Sequence, residues 1–262
     1  MAVKIMSQRG KRGQATIFII VALAIIAVIF AILIYPKIKG GGQIDATQNP
    51  QTFLEGRMRS SLRMNVERLG AHGGELNPTG FIENNGTKIK YLCYTNEYYK
   101  TCVNQQPLIK ESMEQALTNT MKPEAERCVK ELISEYEKQG WKVSSGTITS
   151  DANIILDSII ININAPMTLS KDVSKTYRSF SVEIPSGMYE ILYISSSIIS
   201  YESTFGDADT NAYLQLYPNI NIYKNQLGDG TVIYGVENVI TKEKFTFASR
   251  SLPWPPGYGI LK

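Results

Sequence analysis

The sequence predicts an α+β protein: one N-terminal transmembrane helix, then an extracytoplasmic domain of antiparallel strands packed with several helices. Three observations carry that reading. A run of 21 residues, Ala15 to Tyr35, holds no charge. Between Thr52 and Gly140 apolar residues recur at helical spacing around one short β-rich interval. From Trp141 onward β-branched residues and alternation dominate, with a single helical stretch among them.

The uncharged run comes first. At about 1.5 Å per residue it spans roughly 30 Å, the thickness of a bilayer's hydrocarbon core. It is apolar all round, where a buried helix of a globular domain keeps one polar face. Lys4, Arg9, Lys11 and Arg12 precede it, and only Lys37 and Lys39 follow closely, which sets the N-terminus in the cytoplasm. The run exceeds the roughly 7–15 residue core of a secretory signal, and Tyr35-Pro36-Lys37-Ile38-Lys39 offers no small-x-small cleavage site. The expectation is an uncleaved anchor: a basic cytoplasmic leader over 1–14, the membrane helix over 15–35, a stalk over 36–50 and the extracytoplasmic α+β domain over 51–262, with a subdivision to be looked for near Gly140.

Six of the 27 basic residues and none of the 24 acidic ones lie in the first 39 positions, so the outer part carries 21 against 24. That mildly acidic balance, without a basic cluster beyond the anchor, excludes a nucleic-acid partner. The expected partners are the lipid bilayer and other proteins, or further copies of the chain; no cofactor is implied.

Element by element, Gly40-Gly41-Gly42 opens a flexible stalk. Phe53, Leu54, Met58, Leu62, Val66 and Leu69 then mark a helix over Thr52–Leu69, broken by the glycines from Gly70 to Gly74. The stretch Tyr91–Cys102 reads as a hairpin turning at Asn96-Glu97. Two helices follow, Pro107–Met121 and Pro123–Gly140, the second opened by Pro123 at a first-turn position. Two or three strands come next, turning near Ser150-Asp151 and Ser170-Lys171, with Ile154–Ile163 as one central strand too short and too polar for a second membrane span. A helix over Ser186–Phe205 precedes three strands after Pro218, and the tail from Leu252 is irregular.

Few constellations point to chemistry. Three cysteines, Cys93, Cys102 and Cys128, allow three pairings; Cys93 with Cys102 across the hairpin is the expected disulfide, leaving Cys128 as a buried thiol. Zinc is not supported, with one histidine and no C-x-x-C. That histidine, His72, reads as a cap on the last carbonyls of the first helix. No nucleophile elbow or phosphate loop is present. Asp207, Asp209 and Asn211 have the alternate spacing that begins a calcium loop, but Ala212 and Pro218 stand where glycine and glutamate belong, so they read as a weak metal candidate and more simply as a turn. Tyr91, Tyr94, Tyr98 and Tyr99 crowd the hairpin, either as a recognition surface or as cross-strand packing. Asn85-Gly86-Thr87 is a glycosylation sequon.

The stretch KRGQATIF resembles the leader of archaeal type IV pilin-like proteins: a basic pair, Gly13, and Gln14 opening the apolar helix. The resemblance implies cleavage between Gly13 and Gln14 and assembly through that helix. The family's glutamate, four residues beyond the first mature position, is Phe18 here. The order of GQATIFII, GAHGGE, LGDGTVIYGVENV and FTFAS is similar to that of a group of uncharacterised single-pass membrane proteins in small-genome archaea, which implies architecture and surface location only. The expected function is a membrane-anchored surface protein with an interaction or structural ectodomain and no catalytic activity. A processed, pilin-like subunit is the alternative, and an anchored hydrolase the third reading.

Overall fold

The computed structural model describes residues 22, 23, 25, 26 and 49–254. The chain forms two units, Met1–Asp45 and Ala46–Lys262. In the first, the four described residues, Ala22, Leu23, Ile25 and Ile26, are helical and exposed. The expected leader, nearly all of the expected anchor and the stalk to residue 48 lie outside the described residues, as do Gly13 and Gln14. Among the described residues no helix is long and apolar enough to cross a membrane.

The second unit is α+β with mixed sheets. Helix α1, Pro50–Ala71, starts where Asn49 accepts the Thr52 N–H (3.1 Å) and Pro50 occupies the first turn. Its apolar stripe, Phe53, Leu54, Met58, Leu62, Val66 and Leu69, is buried as the spacing predicts. The helix stops where Gly73 and Gly74 take positive φ and the Gly74 N–H returns to the Leu69 carbonyl (2.8 Å). The ring of His72 does not cap the helix. Its Nδ1–H donates to the Lys88 carbonyl (2.7 Å), tying the helix end to a strand.

Strands β1 (Phe81–Asn84) and β2 (Thr87–Tyr94) form a two-residue hairpin. Asn85 (φ 50°) and Gly86 (φ 78°) supply the left-handed pair such a turn requires. The sequon therefore sits at an exposed hairpin tip. Strand β3 (Val103–Asn104) returns against β2, and the disulfide Cys93–Cys102 closes the loop between them, with Cα atoms 5.3 Å apart.

Two helices were expected next, and there is one. Helix α2 runs from Ile109 to Lys138 through Pro123. Ile109, Met113, Leu117, Met121, Ala125, Cys128, Leu132 and Tyr136 form one unbroken buried stripe across the proline. Burial of that stripe outweighs the single backbone hydrogen bond a proline removes.

The second sheet contains β4 (Lys142–Ser145), β5 (Thr149–Ile155), β6 (Ser158–Ser170) and β7 (Ser174–Pro185). β6 is central: β7 lies along one edge, and β4 and β5 share the other. The expected turn at Ser150-Asp151 is not there; both residues pair within β5. The chain reverses instead at Leu156-Asp157, with Asp157 at φ 64°, so Ile154–Ile163 is a hairpin and not one strand. The apolar run conceals its turn because Ile159, Ile161 and Ile163 face the core while Ile155 and Leu156 face solvent.

Helix α3 (Met188–Phe205) matches the expected span, its N-terminus capped by Glu243, which accepts from the Gly187 N–H (2.6 Å) and the Ser186 hydroxyl (2.7 Å). A short α4 (Thr210–Leu216) precedes β8 (Ile220–Gln226), β9 (Thr231–Asn238) and β10 (Lys244–Arg250). The first sheet has the order β1-β2-β10-β9-β8, with β3 beside β2. β2 and β10 are parallel, which corrects the all-antiparallel expectation. The pair also joins the two ends of the unit in one sheet, and Ala46–Lys262 forms one compact unit. The core lies where α1, α2 and α3 meet both sheets, filled by Leu54, Met58, Leu117, Ile161, Ile194, Phe245 and Phe247.

Candidate functional site

Strand β2 carries the site. Opposite Ala248 and Ser249 of β10 it has one residue too many: Ala248 pairs with Tyr91 and Ser249 with Cys93. This irregularity turns Leu92 and Cys93 both toward the core and leaves Tyr91 and Tyr94 together on the outer face, where strict alternation would separate them. The two rings meet edge to face with centroids 5.0 Å apart.

The outer face of β2 is a seam. β1 begins beside Tyr91, whose N–H bonds the Gly80 carbonyl (2.9 Å), and β3 ends beside Leu92, whose carbonyl accepts the Gln105 N–H (2.8 Å). Between them lies a groove of about 420 Å³ lined by Thr79, Gly80, Phe81, Lys90, Tyr91, Tyr94 and Gln105. That volume falls within the roughly 300–1,000 Å³ usual for small-molecule sites.

The walls are braced. The Tyr91 hydroxyl donates to Thr231 Oγ1 (2.9 Å), and the buried Thr231 hydroxyl donates in turn to Asp229 (3.0 Å). Burial raises the Tyr91 pKa above the usual phenol value. Arg250 donates to the Asp229 carbonyl (3.1 Å) and the Thr95 carbonyl (2.9 Å), with its guanidinium 5.8 Å from the centroid of Tyr94. Lys90 is bound by Glu75 and by Gln106 Oε1 (2.9 Å), and Lys88 lies 4.7 Å over the ring of Phe81. The Gln105 amide is oriented by a bond to the Val103 carbonyl (2.9 Å). Each cation near the groove therefore has a partner.

Of the expected site residues, Cys93 and Cys102 are joined, Cys93 being the β2 residue next to Tyr94. Tyr91 and Tyr94 line the groove, whereas Tyr98 and Tyr99 stand exposed on the loop. Cys128 is a buried free thiol whose pKa burial pushes up to about 11. The metal candidates do not converge. Asp207 pairs with Lys224, while Asp209 caps α4 and accepts the Asn211 N–H (3.0 Å). Among the described residues no group of three His, Cys, Asp or Glu side chains is placed to hold a metal ion.

Two features escape the sequence reading. Phe81, Lys90 and Gln105 join the groove through strand pairing, which no local pattern announces. Inside the unit, Glu202 is fully buried and accepts from Tyr234 Oη, Ser249 Oγ (2.9 Å) and the Ala208 N–H (3.0 Å). A signal existed for it: Glu202 falls on the same helical stripe as Ile191, Ser195 and Ile198. No family model, no curated protein and no solved structure matches this chain.

Proposed function

We propose that the chain is a single-pass, membrane-anchored surface protein whose outer unit is a non-catalytic binding module working through the β2 groove. The observation that carries this reading is the pairing of Tyr91 with Tyr94 on one face of a disulfide-braced strand, an open aromatic site held in shape before any ligand arrives. The sequence supports the location: 21 uncharged residues with the denser basic flank on the N-terminal side. A Cys93–Cys102 disulfide suits the oxidising side of a membrane. The bilayer is thus one partner, and a ligand at the groove is the other. The Gly13-Gln14 motif favours a second reading, a processed subunit assembled through its apolar helix.

Two measurements on native membranes test this. Protease added to intact cells should remove the outer unit and leave a membrane-bound N-terminal fragment; an outer unit protected until lysis overturns the topology. The N-terminal mass then separates the readings. An intact leader ahead of Gln14 fits a permanent anchor, and a mature start at Gln14 promotes the assembled subunit.

A further inference from the structure

We propose that the β2 groove binds a short neutral oligosaccharide, stacked on Tyr94 beside Tyr91 and edged by Phe81, Thr79 and Gln105; this deepens the binding-module reading and rests on it. The argument is one of matching chemistry. Phe81 and Tyr94 are each more than a third exposed, at 39% and 38%. They flank Tyr91 in a groove of about 420 Å³. An aromatic face is electron-rich, and the axial C–H bonds of a pyranose present slight positive charge to it. The same sugar carries hydroxyls around its rim, and the groove's rim holds neutral hydrogen-bonding groups: the Thr79 hydroxyl and the Gln105 amide, the latter already oriented.

Charge separates this ligand from anionic ones. Lys90, in the groove's lining, is neutralised by Glu75, and Arg250 is held by Asp229 and by backbone carbonyls; Lys88, over the Phe81 ring, is not part of the lining. A site for a phosphate or an acidic glycan needs an uncommitted cation or a set of convergent N–H groups. Backbone pairing separates it from an extended peptide. Strand addition needs a free edge, and at this seam the Tyr91 N–H and the Leu92 carbonyl are spent on Gly80 and Gln105. A purely apolar ligand would make no use of the hydroxyl and amide at the rim, which suit a polyol.

The test uses the full chain in lipid nanodiscs, since many detergents carry sugar headgroups. Maltotriose, mannotriose and triacetylchitotriose are titrated at up to millimolar concentration and followed by calorimetry and saturation-transfer NMR. Trigalacturonate and a tyrosine-free hexapeptide serve as the charged and peptide comparisons. The expected result is binding of at least one neutral trisaccharide, weakened tenfold or more by Tyr94→Ala and by Phe81→Ala, and unchanged by Tyr98→Ala on the neighbouring loop. Tyr94→Phe, which keeps the ring, should retain most of the affinity. Both positions are partly exposed, and the variants' thermal midpoints report whether they fold. The proposal is overturned if no neutral trisaccharide binds, if Tyr94→Ala and Phe81→Ala bind as the parent does, or if trigalacturonate or the peptide binds more tightly. None of these outcomes depends on membrane topology, which protease treatment of cells reads separately.

Discussion

The carboxylate of Glu202 on α3 accepts the hydroxyl hydrogen of Tyr234 on β9, and both residues are fully buried. Ser249 on β10 and the Ala208 N–H complete its coordination, so one side chain joins a helix, two strands and the loop after α3. Burial is the largest influence on Glu202 and raises its pKa; the three hydrogen bonds and the Lys224 charge oppose the rise without cancelling it. A carboxyl whose folded pKa lies above its unfolded value favours the folded state fully below the unfolded value. That contribution is lost as pH rises through the folded one.

Glu202→Gln keeps the length and an acceptor oxygen but does not titrate. Urea midpoints measured from about pH 4 upward should fall more steeply for the parent than for this variant, because the unfolded carboxyl titrates near about 4.3. Parallel curves would show that Glu202 does not shift on folding. Glu202→Ala, which strands the buried Tyr234 and Ser249 hydroxyls, should cost about 2 kcal/mol or more at any pH.

The edges of the second sheet are closed by side chains. On β5 the Ala152 N–H donates to Thr118 Oγ1 (2.9 Å) and the Ile154 N–H to Glu114 Oε1 (2.8 Å), both from α2. On β7 the Gln51 amide of α1 bonds the backbone of Ser181. These contacts occupy groups that would otherwise invite another strand. Replacing Thr118 by Val and Glu114 by Leu should each cost about 1 kcal/mol, and the double variant should scatter light at protein concentrations where the parent stays clear. A double variant that stays monomeric under those conditions would mean that packing of α2 alone protects the edge.

What the sequence discloses follows from what is local. Helix α1 is legible because cap, stripe and glycine stop lie within its own residues, and α3 and the strands after Pro218 are legible for the same reason. The turn at Leu156-Asp157 is not, since Leu156 continues an apolar run and only the pairing of β5 with β6 puts it outside. Asn85-Gly86 shows the reverse failure. The dipeptide is a strong hairpin signal, and with Thr87 the same residues also spell a sequon, which masks it. The groove depends on a strand irregularity and on the meeting of β1 with β3, both fixed by long-range pairing. Tyr91 and Tyr94 could be nominated from composition, but their sharing a face could not.

Pro123 tests how firmly packing holds α2 together. It is exposed, lies within the helix, and leaves the Asn119 carbonyl without its usual intrahelical donor. The flanking residues Met121 and Ala125 are already buried on the continuous stripe. Pro123→Ala should therefore raise stability by about 1–3 kcal/mol, since alanine restores the donor and is the better helix former. The change is read by chemical denaturation, with amide exchange at residues 121–127 slowing in parallel. A loss of stability would mean that the two halves of α2 need the proline's local geometry to reach the core.

The Cys93–Cys102 bond lies on the line between stability and binding. It closes a loop of sequence separation 9 and fixes β3 against the end of β2 that carries Tyr94. In the chain-entropy account a loop of this size contributes about 2–3 kcal/mol by restricting the unfolded chain. The double variant Cys93→Ala/Cys102→Ala should lose about that much and become indifferent to reductant, while the parent loses a similar amount on reduction. The more telling readout is local. With the staple gone, the Gln105 N–H, which bonds the Leu92 carbonyl at the seam, should exchange faster than amides in β9, because β3 pairs with β2 over only two residues. If the Gln105 amide keeps its protection in the double variant, strand pairing alone shapes the groove, and the disulfide acts only on the unfolded chain.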